Sequence, residues 1–257
     1  MTVSASQAAE AARSKVQPRH VLCFLGGEHQ LVQMSDAAHA AIGKFATGFE
    51  VDTRYSIDHA DPVMVRSFGV CWDRVAPGAW TPADEEAVAS HKSVLYVLSP
   101  RMRPDTSMVI STAALFLVEK MISAGATAAK GESAGVAHGV ARWRELALRA
   151  AAALKTDDDF AVSRICRLAF AKRPLESEKY VESVGYHLVG LPEIYVAKTL
   201  GTDLEKAALM DTIADEMAKR GTDAVLRDRE AKLSFASSYA PDDFKFNPYG
   251  IVHIDRM

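Results

Sequence analysis

One stretch of this chain, from Thr106 to Ser123, has the spacing of a helix whose surface is apolar on almost every side. Val109, Ala113 and Leu117 are part of this surface. A helix that is apolar all round is typical of the centre of a fold. Its uncharged part, residues 106–118, covers thirteen positions, whereas a membrane-spanning helix needs about 20. We therefore predict a central core helix and no membrane span.

Composition and charge narrow the possible functions. Hydrophobic residues make up 49% of the 257 positions and charged residues 25%, values that are typical of a globular protein and exclude wholesale disorder. The 30 Lys and Arg residues face 33 Asp and Glu residues, which gives a net charge of −3. Because no basic excess is present to neutralise phosphates, nucleic acid is not an expected partner.

The cysteines and the N-terminal residues indicate a compartment. Cys23, Cys71 and Cys166 are widely spaced and form neither a CxxC pair nor a disulfide framework, which is typical of a reducing environment. The first twenty residues are polar and Ala-rich and lack the apolar stretch of a signal peptide. We therefore predict a cytoplasmic location.

Hydrophobic periodicity predicts about five helices and eight or nine strands in mixed order. The helices are expected at Ser35–Phe45, from Thr81 onward, at Thr106–Ser123, at Val140–Leu154 and at Asp203–Gly221. The main strands are expected at His20–Leu25, Phe49–Ile57, Val63–Trp72, Ser93–Leu98, Arg164–Phe170, Gly185–Gly190, Ile194–Thr199 and Gly250–Ile254. This order predicts an α+β fold, with a mixed, largely antiparallel sheet or sheets on which about five helices pack.

The same pattern predicts the domain organisation. Residues 1–18 are expected to form a flexible N-terminal tail, and residues 19–257 a single compact α+β unit. The acidic break near residues 155–160 is the place where this unit would divide, if it consists of two halves.

One segment matches a catalytic pattern. Gly131-Glu132-Ser133-Ala134-Gly135 is Gly-x-Ser-x-Gly, the string at the nucleophile elbow of α/β-hydrolases, where small residues allow a serine to occupy a strained strand-to-helix turn. Such a serine also needs a histidine base and an acid that orients the histidine. Candidates in the required chain order are His187 or His253 with Asp157, Asp215 or Asp243.

Two features of the sequence count against a hydrolase. The segment before the motif, residues 126–130, is Ala-rich and ends in Lys130, whereas the strand before an elbow should be strongly apolar. No HGGG-like stretch supplies a second oxyanion donor, and Gly26-Gly27 is a poor substitute. We therefore interpret Ser133 as part of a Gly/Ser turn, and keep a serine esterase that uses Ser133 as the alternative.

Residues that could bind a metal or a cofactor lack the required spacing. The eight histidines include no HExxH motif and no His/Cys pair at ligand spacing. Asp157, Asp158 and Asp159 are adjacent, so they cannot all reach one ion from a regular element, and they indicate a solvated turn. Gly26-Gly27 lacks the further glycines of a dinucleotide loop. We predict no catalytic, cofactor-binding or metal site.

The C-terminal part of the chain resembles a bacterial family, the domain of unknown function 4261. The resemblance is carried by GYHLVGLPEIYV (Gly185–Val196), by TDLEKAALMDTIADEMAKRG (Thr202–Gly221) and by the terminal GIVHI. The segment Gly125–Trp143 is similar to one that lies upstream in longer members. The resemblance brings no catalytic residues, and it implies a non-enzymatic protein of the kind encoded near toxin or interbacterial-competition genes.

We therefore expect a non-enzymatic cytoplasmic factor that binds a protein partner, as an immunity or accessory protein of a toxin system. Binding would centre on an exposed aromatic or arginine anchor. The candidate anchors are Trp80, Tyr180, Tyr239 and Arg103.

Overall fold

The computed structural model describes residues 17–235 and 247–256. These residues form two five-stranded sheets and eight α-helices, so the predicted α+β class is confirmed. Residues 1–16 of the expected N-terminal tail lie outside the described residues.

The first sheet has the strand order β2-β3-β1-β4-β5, and all its neighbouring strands are antiparallel. Its strands are β1 (Val21–Gly26), β2 (Glu50–Val51), β3 (Ser93–Leu98), β4 (Ala128–Gly131) and β5 (Val136–His138). The second sheet has the order β6-β7-β8-β10-β9. Its strands are β6 (Lys172–Glu176), β7 (Tyr180–Val184), β8 (Glu193–Ala197), β9 (Lys232–Ser234) and β10 (Ile251–Ile254). Strands β8 and β10 run parallel, and the other described pairs in this sheet are antiparallel.

Helices fill both the connections within the sheets and the stretch between them. They are α1 (Gln30–Lys44), α2 (Val63–Cys71), α3 (Pro82–Ala89), α4 (Pro104–Ser123), α5 (Val140–Lys155), α6 (Asp159–Phe170), α7 (Asp203–Arg220) and α8 (Thr222–Asp228). A short 3₁₀ helix, η1 (Tyr186–Val189), joins β7 to β8.

The first sheet is covered by helices on both faces, which explains the unbroken apolar run at the start of β1. Successive side chains of a strand point to opposite faces. Leu22 and Phe24 belong to the core cluster that includes residues of α4, α5 and α6, whereas Cys23 and Leu25 belong to the cluster formed with α2 and α3. Both sets are fully buried.

The core position predicted for the helix after Pro104 is confirmed. Leu115, Val118 and Met121 on one side of α4 are buried in the main core. Among the described helices, α4 is the single one whose length and composition would also suit a membrane span, and 44% of its most apolar window is buried inside the fold. The remaining side of α4 is apolar as well, and it forms part of the groove described below.

Two segments that were predicted as strands are helices. The run Val63–Trp72 forms α2, which buries Met64, Phe68 and Cys71 at helical spacing. The segment Arg164–Phe170 belongs to α6, which begins after Asp158, whose carboxylate accepts the Ala161 N–H at 2.9 Å.

Two further strand predictions are also corrected. Of the expected strand Phe49–Ile57, the pair Glu50–Val51 forms β2, and Ile57 makes an isolated bridge to Val94. The expected strand Gly185–Gly190 contains η1, because both flanking glycines have positive φ angles (107° and 78°) that turn the chain out of an extended conformation.

Two helix starts with a capping signal agree with the sequence, whereas α1 begins at Gln30 and not at the expected Ser35. Thr81 and Asp84 exchange side-chain hydrogen bonds with each other's backbone N–H at the start of α3, and Pro82 occupies its first position. Thr202 and Glu205 form the same arrangement at the start of α7, which ends at Gly221.

The 3₁₀ helix η1 connects the two cores. Leu188 and Val189 are buried in the cluster built on the first sheet, whereas Tyr186 is buried in the cluster of the second sheet. The Leu188 carbonyl accepts a hydrogen bond from Ser111 Oγ on α4 at 2.5 Å. Four consecutive residues therefore tie the second sheet to the central helix.

Candidate functional site

Ser133 lies in the four-residue turn of a β-hairpin between β4 and β5, not in a strand-to-helix elbow. Its Oγ donates to the Arg19 carbonyl at 2.7 Å and accepts from the Val21 N–H at 2.9 Å. The hydroxyl therefore fastens the hairpin turn to the segment that leads into β1. These two backbone groups occupy its single donor and one of its acceptor positions.

Among the described residues, the histidines and acids that could complete a catalytic triad with Ser133 lie in other contacts or in other parts of the fold. His187 Nδ1 lies 3.2 Å from Glu193 Oε1, and His253 Nε2 lies 2.7 Å from Ser234 Oγ in the second sheet. Asp215 pairs with Arg167, Asp157 lies in the turn after α5, and Asp243 lies outside the described residues. None of the described histidines forms a hydrogen bond with Ser133.

A second serine, which the sequence reasoning missed, contacts a buried lysine. Lys130 Nζ lies 2.5 Å from Ser67 Oγ and 2.8 Å from Glu132 Oε1, and it stands 4.9 Å from the centre of the Phe68 ring. A serine–lysine pair can serve as nucleophile and base. Here Lys130 Nζ is engaged by the Glu132 carboxylate as well as by Ser67 Oγ, so the lysine acts as a hydrogen-bond donor that fixes both side chains. No spacing rule signals the pair, because Ser67 and Lys130 meet only through the packing of α2 on β4.

A buried carboxylate organises the turn around η1. Glu193 Oε1 accepts the backbone N–H groups of Gly185 and Tyr186, both at 2.9 Å, and an Asn247 N–H at 3.1 Å. Glu193 Oε2 accepts from Ser183 Oγ at 2.5 Å. The Gly-Leu-Pro-Glu segment that carries the family resemblance therefore supplies a structural hydrogen-bond acceptor.

Two buried histidines are held in the neutral form. His20 Nε2 lies 2.7 Å from Ser111 Oγ; burial lowers the pKa of His20 to about 3, and the charge of His187 acts in the same direction. His138 Nε2 lies 3.1 Å from the Ala169 carbonyl; burial lowers the pKa of His138 to about 4, against the pull of Asp73. Neither ring is available as a base to a solvent-exposed substrate.

Metal binding and thiol chemistry find no support in the described part of the chain. No group of three or more His, Cys, Asp or Glu side chains there is placed to hold a metal ion. Burial raises the pKa of the Cys23 thiol and of the Cys166 thiol to about 12 each, so both behave as apolar core residues.

An apolar opening lies along the outer side of α4, and we call it the α4 groove. Its volume is about 470 Å³. Its floor and walls are Met108, Val109, Thr112, Ala113 and Phe116 of α4, with Phe45, Leu154, Asp159 and Val162. Val109 is 73% exposed, Leu154 40% and Phe45 38%. An apolar helix face that remains open in this way is typical of an interaction site.

Two residues that line the α4 groove, Thr112 and Asp159, are polar. Thr112 Oγ1 donates to the Met108 carbonyl at 2.8 Å, so its hydroxyl proton is used within α4. Asp159 is the one charged residue that lines the groove, and it also lines a neighbouring depression next to Met108. Asp157 and Asp158 precede it and are exposed. The exposed Lys44 and Lys155 adjoin groove residues in the chain but do not line the groove.

Three of the anchors suggested by the sequence, Trp80, Tyr180 and Arg103, do not line this groove. Trp80 is half-buried against the outer cluster of the first sheet, with its ring 6.2 Å from that of Phe68. Tyr180 donates to Asp255 Oδ1 at 3.0 Å, and Arg103 pairs with Asp105 at 2.9 Å. Tyr239 lies outside the described residues. The α4 groove instead offers Phe45, Val109 and Leu154, which the sequence predicted only as members of apolar helix faces.

Comparison with models of known protein families, with curated proteins and with solved structures finds no match to this chain. The resemblance of the C-terminal part to a bacterial family therefore stays a prediction.

Proposed function

We propose that this protein is a cytoplasmic binding factor that holds an amphipathic helix of a protein partner in the α4 groove. The observation that carries the proposal is the open apolar side of α4. A helix that is apolar all round is stable where every side is covered, but on the groove side of α4 Val109 is 73% exposed and Met108 and Phe116 are only half-buried. A groove between helices suits an amphipathic helix, which inserts residues spaced three to four positions apart.

The charge of the groove specifies the chemistry of the partner. Asp159 lines the groove together with Met108, and the exposed Asp157 and Asp158 precede it in the chain. Lys219 lines the neighbouring depression that Asp159 shares with Met108. A partner helix with a Lys or Arg at the end of its apolar stripe would form a charge-assisted hydrogen bond with Asp159. The opposite arrangement would place like charges together and be rejected.

The resemblance of the C-terminal part to a bacterial family suggests which kind of protein supplies the partner helix. It implies a place near toxin or interbacterial-competition genes, and we propose that the partner helix belongs to such a toxin. The protein would then be an immunity or accessory factor, and it would act by covering the toxin's helix instead of by catalysis.

A designed peptide tests the groove directly. The probe is a fluorescein-labelled helix with leucines at positions i, i+3, i+7 and i+10 and two lysines at one end of that stripe. Val109→Asp places a carboxylate in the groove and should weaken binding by tenfold or more, which corresponds to about 1.4 kcal/mol. Leu148→Asp is the matched control, because Leu148 is 71% exposed on α5 and does not line the groove.

Fluorescence anisotropy of the peptide gives the dissociation constants. The proposal predicts unchanged binding for Leu148→Asp and weaker binding for Asp159→Asn, with the second loss absent when the peptide's lysines are replaced by glutamine. No saturable binding, or equal losses in Val109→Asp and Leu148→Asp, would refute it.

The toxin assignment is tested separately by co-expression with a toxin encoded beside this gene. Growth rescue by the wild type and not by Val109→Asp supports the assignment, and unrelieved growth arrest contradicts it.

A further inference from the structure

A second cavity, of about 220 Å³, lies where the two sheets meet, and we call it the junction cleft. Its lining comes from the loop after α2, from β5, and from the first residues of β6 and α7. The lining residues are Cys71, Trp72, Asp73, Arg74, Val75, Val136, Ala171, Lys172, Asp203, Leu204 and Ala207. Small-molecule sites occur preferentially at such junctions, in mostly apolar pockets with a few converging polar groups.

Two cations line the junction cleft without an ion-pair partner among the described residues. Lys172 Nζ donates to the Val70 carbonyl at 2.5 Å. The Arg74 guanidinium donates to the Gly69 carbonyl at 2.8 Å and lies 4.2 Å from the centre of the Trp72 ring. Carbonyl acceptors satisfy single N–H groups but leave the positive charges uncompensated.

The two cations repel each other. Burial lowers the pKa of Lys172, and the positive charge of Arg74 lowers it further, while the Cys71 thiol acts in the opposite direction. Two like charges held next to one apolar cavity are stabilised when an anion occupies that cavity.

The two carboxylates in the lining are engaged elsewhere. Asp73 Oδ1 accepts the Val75 N–H at 2.8 Å within its own turn. Asp203 Oδ1 lies 3.1 Å from Lys206 Nζ on the same helix. Asp73 Oδ2 also lies 3.5 Å from Nδ1 of the buried His138. Among the described residues neither carboxylate forms an ion pair with Lys172 or Arg74, so these two cations are the charged donors that an anion would meet.

We propose that the junction cleft binds a small monocarboxylate with a short alkyl chain. Its carboxylate would accept hydrogen bonds from Lys172 and Arg74, and its alkyl chain would contact apolar wall residues such as Val136, Leu204 and Ala207. The volume has room for roughly seven water-sized units of about 30 Å³, which matches a ligand of a few heavy atoms. This proposal is independent of the α4 groove, since the two cavities share no lining residue.

Butyrate is the probe, and its binding is measured by saturation-transfer NMR at constant ionic strength. Removal of one charged donor, in Lys172→Met or Arg74→Met, should raise the dissociation constant about tenfold. Lys92→Met is the matched control, because Lys92 is exposed and does not line the cleft. Circular dichroism confirms that each variant is folded.

A measurement on the wild type covers the case in which a variant does not fold. The ¹³C shift of the Lys172 Cε reports its protonation, and butyrate should raise the pKa of Lys172 because it adds a negative charge beside the ammonium group. Absence of butyrate binding, an unchanged Lys172 pKa, or equal effects of Lys92→Met and Lys172→Met would overturn the proposal. Displacement of butyrate by equimolar inorganic phosphate would overturn the assignment to a carboxylate.

Discussion

Replacement of Ser133 by alanine distinguishes a structural role of its hydroxyl from a role as a catalytic nucleophile. In the structure its hydroxyl donates to the Arg19 carbonyl and accepts from the Val21 N–H, so it ties the β4–β5 turn to the beginning of β1. Each intramolecular hydrogen bond contributes about 1 kcal/mol net, and the half-buried backbone groups that lose their partner are only partly rescued by water. We therefore expect Ser133→Ala to lower the free energy of unfolding by about 2 kcal/mol.

The assay is equilibrium unfolding in urea followed by tryptophan fluorescence, with thermal unfolding as a second reading. The urea midpoint should fall without a change in slope, and Tm should fall by about 4–8 °C for a chain of this size. Ser123→Ala is the control, because Ser123 is exposed at the end of α4 and bonds the side chain of Glu119; its effect should stay within about 0.5 kcal/mol.

A nucleophilic Ser133 predicts a different outcome. A fluorophosphonate probe would label the wild type, the label would disappear in Ser133→Ala, and stability would barely change, because an activated hydroxyl is not needed to hold the fold together. That combination would refute the structural role and restore the esterase alternative. Absence of labelling, together with the expected loss of stability, would retire the esterase.

Three further substitutions test the buried polar groups and the turn at η1. Burial lowers the pKa values of His20 and His138 to about 3 and 4, so both rings are neutral in the folded protein, whereas the unfolded chain protonates them below about pH 6.5. The free energy of unfolding should therefore fall as the pH drops toward 4, by about 1.4 kcal/mol per pH unit for each ring. His138→Gln should roughly halve this slope in urea unfolding measured as a function of pH. Glu193→Gln presents an amide N–H₂ to groups that are themselves donors and should cost about 3 kcal/mol by the same measurement, whereas a loss below about 1 kcal/mol would contradict the role of the carboxylate. Gly185→Ala brings a Cβ within 2.6 Å of the Phe170 carbonyl oxygen and should lower Tm more than Gly221→Ala, where φ is also positive but the space is open.

The sequence predicts best where a local physical signal fixes the structure. Thr81 with Asp84 and Thr202 with Glu205 are capping boxes that act within one turn, so the starts of α3 and α7 follow from the residues alone. The apolar core position of α4 follows from its composition in the same way.

The strand prediction for Val63–Trp72 failed because β-branched residues face solvent there. In α2 the exposed valines Val63, Val65 and Val70 make the segment look like a continuous apolar strand, although the buried set is Met64, Phe68 and Cys71 at helical spacing. A short apolar run does not distinguish the period of a helix from that of a strand until the element that packs against it is known. The packing of α2 on the outer face of the first sheet decides the outcome.

The candidate sites were the least predictable part of the molecule. The α4 groove needs Phe45 from the end of α1 and Leu154 from the end of α5 beside the same helix. The junction cleft needs Arg74 and Lys172, which are far apart in the chain. Both sites arise from tertiary packing between distant elements, and neither leaves a spacing pattern in the sequence.

The 3₁₀ helix η1 has a consequence for how the molecule melts. Leu188 and Val189 fill space beneath the first sheet while Tyr186, two positions earlier, fills space beneath the second. Unfolding of either core would remove the η1 side chains from the other core and leave a cavity there. Heat or denaturant should therefore unfold both sheets in one cooperative transition. A gene cut near residue 160 would accordingly yield a first half with an open cavity at its base, prone to self-association.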